Sequence, residues 1–216
     1  MLVRGNAVVD DNPFAAAGGI NALPGSYTVT LTADGKRFSK KVDVALDPRS
    51  DMTMAQQLAQ FTASLQIQDV ATRVNRIITT VDDLTRQMTS LQDQLRRVPR
   101  DSATPPITQA LAEAEGALQE LRVFKDSVLA RPIPGLGYRQ YPRLREEVQT
   151  VSGMVSRPMM PPTAGEMLRS GELTTETTQA QSRLDGIIER RVVKINDLLK
   201  GTPHVLIAPP ARTFVP

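Results

Sequence analysis

The sequence predicts a mainly α protein, an antiparallel bundle of three to four helices with a long first helix, preceded by a small antiparallel β element of immunoglobulin-like character. Three observations point there. Aromatic residues make up 4% of the chain and tryptophan is absent, so a core drawn from the 40% hydrophobic residues must use Leu, Ile, Val, Met and Ala, as helical bundles do. Residues 24–49 alternate polar and apolar at period two around a turn signal. From Thr53 onward the apolar period lengthens to steps of three and four.

Residues 1–23 are rich in Gly and Ala and weakly patterned, with Ala7-Val8-Val9 as the one candidate strand. In the hairpin, Tyr27, Val29 and Leu31 share one face, Asp34-Gly35 makes a two-residue turn, and Phe38, Val42, Val44 and Leu46 continue the apolar face on the return. Pro48, within Asp47-Pro48-Arg49, lacks an amide donor and stops the sheet. A two-stranded hairpin is marginal in water, so this one is expected to belong to a larger sandwich and the chain to be the tail of a larger protein.

Thr53 and Gln56 fit a capping box that opens the first helix. Met54, Leu58, Phe61 and Leu65 form its first apolar run. A second run, Val70, Val74, Ile77, Val81, Leu84, Met88, Leu91, Leu95 and Val98, is a heptad seam. The five-residue step from Leu65 to Val70, bridged by Ile67, predicts a bend or a change of packing partner. If continuous, the helix spans about 45 residues, or roughly 70 Å at ~1.5 Å per residue.

Pro99 and Arg100-Asp101-Ser102 interrupt the pattern, and Thr104-Pro105 restarts it as a cap with proline at the first helical position. Ile107, Leu111, Ala114, Leu118, Leu121, Phe124 and Val128 define the second helix. Residues 131–142 carry three prolines and two glycines and read as a connector. Leu144, Val148, Val151 and Val155 form a short third helix, ended at Arg157-Pro158-Met159-Met160-Pro161-Pro162. Thr163 with Glu166 caps the last helix, which carries Met167, Leu184, Ile188, Val192, Ile195 and Leu199 and stops at Gly201. Its Gly- and Thr-rich middle, Ser170 to Thr178, predicts an interruption or local irregularity. Val205-Leu206-Ile207 in the tail is expected in a groove of the bundle or beside the sheet. The domain reading is therefore 1–49 for the β element, 50–201 for the bundle and 202–216 for an extended tail.

The 26 basic and 23 acidic residues leave a net charge of +3, and the bases are mostly Arg. Opposite charges are mixed throughout and no basic run is interleaved with aromatics, so nucleic acid is not an expected partner. The absence of cysteine removes disulfides, thiol catalysis and thiolate metal sites together. No apolar run approaches 18 residues, so no membrane span is expected. The first residues, MLVRGNAVVDDNPF, lack the apolar core of a secretion signal; if the protein is exported, its signal is expected upstream.

No catalytic, cofactor-binding or metal residue is assigned. His204, the one histidine, follows Pro203 beyond the last helix and reads as a tail residue, without the nucleophile and orienting partner a base needs. Asp82-Asp83 and Glu146-Glu147 are neighbours about 100° apart on a helix and read as solvated faces rather than shared sites. Asp10-Asp11-Asn12 lacks the alternating ligands and distal Glu of a calcium loop. Pro134-Gly135-Leu136-Gly137 follows no strand and misses a third glycine, so it reads as a turn.

Taken together, PGSYTVTLTADGK with VDVALDPR, then MAQQLAQF, the connector YPRL, RPMMPPTAGE and the closing INDLL resemble the C-terminal region of bacterial exported sortilin-like β-propeller proteins. That family is also labelled sialidase-repeat or glycosyl-hydrolase-like, and the resemblance covers roughly residues 20–207. It implies an upstream propeller, an immunoglobulin-like module closing in the hairpin, and a helical bundle. It also implies extracytoplasmic or secreted localisation, with the propeller or another protein as partner. The propeller has no counterpart in these residues, so no residue role is carried over. The function so implied is a non-catalytic structural and interaction region. The alternatives are an accessory domain of a glycosyl-hydrolase-like enzyme and a self-associating coiled-coil adaptor that forms a homodimer through its seam.

Overall fold

The computed structural model describes residues 2–3, 20–99, 104–133, 140–204 and 207–208. Ala7-Val8-Val9, Asp10-Asp11-Asn12, Pro134-Gly135-Leu136-Gly137 and Val205-Leu206 lie outside them. The protein is mainly helical, with four continuous helices after a small antiparallel sheet. Its elements are β1 (Leu2–Val3), β2 (Ile20–Asn21), β3 (Gly25–Ala33), β4 (Lys36–Val44), α1 (Met54–Arg96), α2 (Pro105–Phe124), α3 (Leu144–Val155), α4 (Ala164–Ile187) and α5 (Lys194–Leu199). A π-helical turn, Lys125–Leu129, prolongs α2, and another, Ile188–Val193, joins α4 to α5. The chain divides into two compact units, one of Met1–Thr72 and Val148–Leu173, the other of Arg73–Glu147 and Thr174–Pro216.

In the first unit, β3 and β4 pair along their whole length. Asp34 and Gly35 both take positive φ, 50° and 72°, the turn whose twist matches the strands it joins. A separate pair, β1 with β2, was not foreseen; two residues per strand are too few to carry a periodic signal. The Thr53 amide donates to Gln56 Oε1 at 2.8 Å and the Gln56 amide to Thr53 Oγ1 at 3.2 Å, completing the predicted capping box of α1. Thr163 and Glu166 do the same for α4. The expected run Met54, Leu58, Phe61, Leu65 does not form core: Met54, Leu58 and Leu65 are exposed, and Ala63, Ile67 and Val70 are buried instead. The five-residue step is thus a change of face on an unbroken helix.

In the second unit three helices run antiparallel. Arg96 bridges Glu115 at 2.8 Å while Lys125 bridges Asp82 at 2.5 Å, so α2 descends as α1 rises. Glu113 meets Lys194 at 2.5 Å while Glu120 meets Arg190 at 2.8 Å, so the α4–α5 rod runs back against α2. The α1 seam is buried from Val74 through Ile77, Val81, Leu84, Met88 and Leu91 to Leu95, as its heptad spacing requires.

The expected stripe of α2 holds at Ala114, Leu121 and Phe124 and is corrected elsewhere. Ile107, Leu111, Leu118 and Val128 are only half-buried, and the core positions are Ala110, Ala114, Ala117, Leu121, Phe124 and Leu129. Three alanines let the neighbouring helix approach closely, which leaves the larger residues at the flanks. The π turn carries burial from Phe124 to Leu129 in a step of five, with the Ala130 amide donating to the Lys125 carbonyl at 3.1 Å. The same device takes burial from Ile187 to Val192, so Ile188 sits half-buried.

The predicted interruption at Ser170–Thr178 is absent, since α4 is continuous there. Its buried stripe is Ser170, Leu173, Thr177 and Ala180, small and polar enough to look like surface in the sequence; Met167, expected in the core, is exposed. Thr104 occupies the cap position of α2 but makes no side-chain cap bond, leaving Pro105 as the start signal. Gly201, at φ 81°, ends α5 as predicted. In the tail, Ile207 is buried and exchanges two 2.9 Å hydrogen bonds with the Asn196 side chain, while Gln87 brackets Ala208.

Candidate functional site

The titratable groups singled out in the sequence do not converge. His204 is half-buried, and its backbone amide donates to Thr202 Oγ1 at 3.5 Å. Asp82 pairs with Lys125 and Asp83 with Arg86, side by side on α1. Glu146 is a correction to the solvated-face reading, because its carboxylate caps α3. It accepts from the Arg143 amide at 3.0 Å, from the Arg131 amide at 3.2 Å and from Arg145 Nε at 3.0 Å, with 12% of the side chain exposed. Among the described residues no three His, Asp or Glu side chains come together as a metal centre requires.

The densest charge cluster lies between α2 and the second π turn. Glu113 accepts from Lys194 Nζ at 2.5 Å and from Arg191 Nη1 at 2.6 Å, and Arg191 Nε also reaches Glu120 at 3.2 Å. Gly116 leaves room for the guanidinium, since a Cβ there would stand 3.2 Å from Arg191 Nη1. The hydrogen bonds from Lys194 and then Arg191 hold the Glu113 carboxyl below its ordinary value. A depressed carboxyl stabilises the fold above its unfolded pKa and loses that contribution as pH falls through its folded one. Glu113→Gln is therefore expected to cost less than about 1 kcal/mol at pH 7, and less again in acid below the ordinary carboxylate range. Denaturant melts of both proteins at the two pH values check this; equal differences at both would show that the charge contributes nothing.

The sheet has a different character. The pairs Tyr27 with Val42, Val29 with Lys40 and Leu31 with Phe38 stand on one face of β3–β4. Thr28, Thr30, Thr32, Ser39 and Lys41 stand on the other. The apolar face is bare: Leu31 is 62% exposed and Phe38 58%, with Val29, Val42 and Leu46 also exposed. Among the described residues no third strand joins β3 or β4, so both edges keep unpaired backbone groups.

At the base of the hairpin, still within the first unit, lies a half-open cavity of about 380 Å³. Leu23, Val44, Leu46, Met52 and Phe61 supply apolar wall, and Asp47, Ser64 and Ser156 supply polar atoms. Arg49 engages the Asp47 carboxylate at 2.8 and 3.0 Å, and hydrogen bonds from it hold that group down to about 2. No histidine is among the described residues that line the space, so none of its three serines, Ser50, Ser64 and Ser156, has an imidazole beside it there. Gln60 spans its floor, with Nε2 at 3.2, 2.6 and 2.9 Å from the carbonyls of Val155, Arg157 and Met160.

Exposed apolar side chains concentrate in this unit. Met54, Leu58, Leu65, Met159 and Met160 join those of the hairpin, whereas in the other unit the large exposed apolar residues are Val123, Ile133, Tyr141 and Val193, among those described. No helix among the described residues is long and apolar enough to cross a membrane. No family model, curated protein or solved structure matches the chain.

Proposed function

We propose that this chain is a non-catalytic structural and interaction region that docks through the bare face of its hairpin onto a β module. The carrying observation is a nine-residue-by-nine-residue antiparallel ladder with an apolar face open to solvent and neither edge paired among the described residues. Burying the five exposed apolar side chains, each contributing on the order of 1 kcal/mol, would stabilise a docked sheet that is marginal alone. The partner fitting this face is the rest of an immunoglobulin-like sandwich, in keeping with the likeness to exported propeller proteins.

Hydrogen exchange on the full chain tests this reading. Backbone amides of Gly25–Val44 are expected to exchange fast, because a two-stranded ladder opens with little loss of buried area. Amides of α1, α2 and α4 in the second unit are expected to be slower by orders of magnitude. Equal protection of both regions in a monomer would show that the sheet is complete within the chain, and the docking reading would fall.

A further inference from the structure

The two free edges of the hairpin differ in kind. β3 carries no charged side chain over its nine residues, and Tyr27, Thr28, Val29, Thr30 and Thr32 all favour an extended chain. β4 carries Lys36, Arg37, Lys40 and Lys41, all exposed. Charged side chains, lysine above all, keep an edge strand from pairing with another chain, whereas an uncharged β-branched edge without proline invites it. β4 is thus a guarded edge and β3 an open one.

The register says which backbone groups stand at the open edge. Asp34-Gly35 closes the hairpin in two residues, which makes Ala33 and Lys36 a hydrogen-bonded pair. Bonded and non-bonded pairs then alternate along the ladder, so the amides and carbonyls of Ser26, Thr28, Thr30 and Thr32 point away from β4. We infer that an extended strand of the partner adds to this edge of β3, and that β4 stays the outer edge of the completed sheet. A strand is the occupant because the edge offers donors and acceptors in alternation at strand spacing, which another extended backbone matches in series. A helix or a loop laid there would shield these groups without pairing them. The inference rests on the docking of the hairpin onto a β module: the apolar face meets the opposing sheet, while a strand of that module prolongs the hairpin's own sheet at β3.

Residue-resolved amide exchange on the full chain tests it, first alone and then with ~1 mM of a short capped peptide of alternating threonine and valine. In the free chain the amides of Ser26, Thr28, Thr30 and Thr32 are expected to exchange faster than those of Tyr27, Val29 and Leu31, which face β4. The peptide is expected to slow these outward amides roughly fivefold and to leave Arg37, Ser39, Lys41 and Asp43 unchanged. Thr30 and Ser39 stand opposite each other with their hydroxyls 3.0 Å apart, so Thr30→Pro and Ser39→Pro lose the same side-chain contact and each removes one outward amide. Thr30→Pro should abolish the slowing at Thr28 and Thr32 and Ser39→Pro should keep it, with the amides of Val29 and Leu31 reporting that the ladder survives. Should either proline open the ladder, the wild-type map decides by itself. Slowing at the β4 amides, slowing at neither edge, outward β3 amides already protected in the free chain, or slowing that persists in an intact Thr30→Pro hairpin would each overturn the inference. The docking reading falls on a different result, equal protection of hairpin and bundle in the free monomer, so the two can fail separately.

Discussion

Val81→Asp is expected to cost on the order of 3 kcal/mol or more and to lower the melting temperature by roughly 10 °C. Val81 is 1% exposed, with Ile77 one turn before it and Leu84 one turn after, both equally enclosed. The substitution removes about 1.5 kcal/mol or more of apolar burial and places a carboxylate where nothing pairs with it. Burial raises the pKa of such a carboxyl, so part of the deficit should vanish when the measurement is repeated near pH 4. Thr79→Asp, two residues away on the exposed side of the same helix, should change stability by no more than about 0.5 kcal/mol. An unchanged melt for Val81→Asp would mean that the centre of the seam is not core.

The elements that could be read from the sequence are those whose signal is local and repeated. The seam from Val70 to Leu95 has many apolar positions at one spacing, the hairpin has alternation plus a turn that only a few residue types tolerate, and both capping boxes are complete within four residues. What escaped has physical causes. Ala110 and Ala117 are core because a neighbouring helix comes close, and alanine carries no sign of that in sequence. Ser170 and Thr177 are small enough to be buried in α4 yet look like surface. A π turn shifts burial by one residue, so Val128 and Ile188 were expected in place of Leu129 and Ile187. At Leu65 to Val70 the step of five falls on an unbroken helix, with Ile67 buried between them, close to where α1 leaves the first compact unit at Thr72. The bare sheet face was legible because alternation names both faces. The cavity beneath it was not, since it joins segments more than a hundred residues apart.

Gln60→Glu is expected to be the most damaging single-atom change in the first unit. The Gln60 amide nitrogen lies within hydrogen-bond reach of the Val155, Arg157 and Met160 carbonyls, 95 to 100 residues away, where α3 ends and the turn before α4 begins. The final carbonyls of a helix have no partner within it, and this turn holds Met159 at a left-handed φ of 61°, a conformation its side chain disfavours. One donor group thus satisfies orphan acceptors and fixes a strained turn at once. A carboxylate at the same place has no proton to give and sets acceptor against acceptor, which should cost about 2–3 kcal/mol at pH 7. Gln60→Leu removes the donor without adding the repulsion and should cost less, on the order of 1–2 kcal/mol. Acidification separates the two: once protonated, the glutamic acid can donate to one carbonyl, so Gln60→Glu should recover below about pH 4 while Gln60→Leu should not. Denaturant melts at pH 7 and pH 4, with amide exchange of residues 157–163, give the answer. Indistinguishable stability of the three proteins at pH 7 would show that the turn before α4 is held by something other than Gln60.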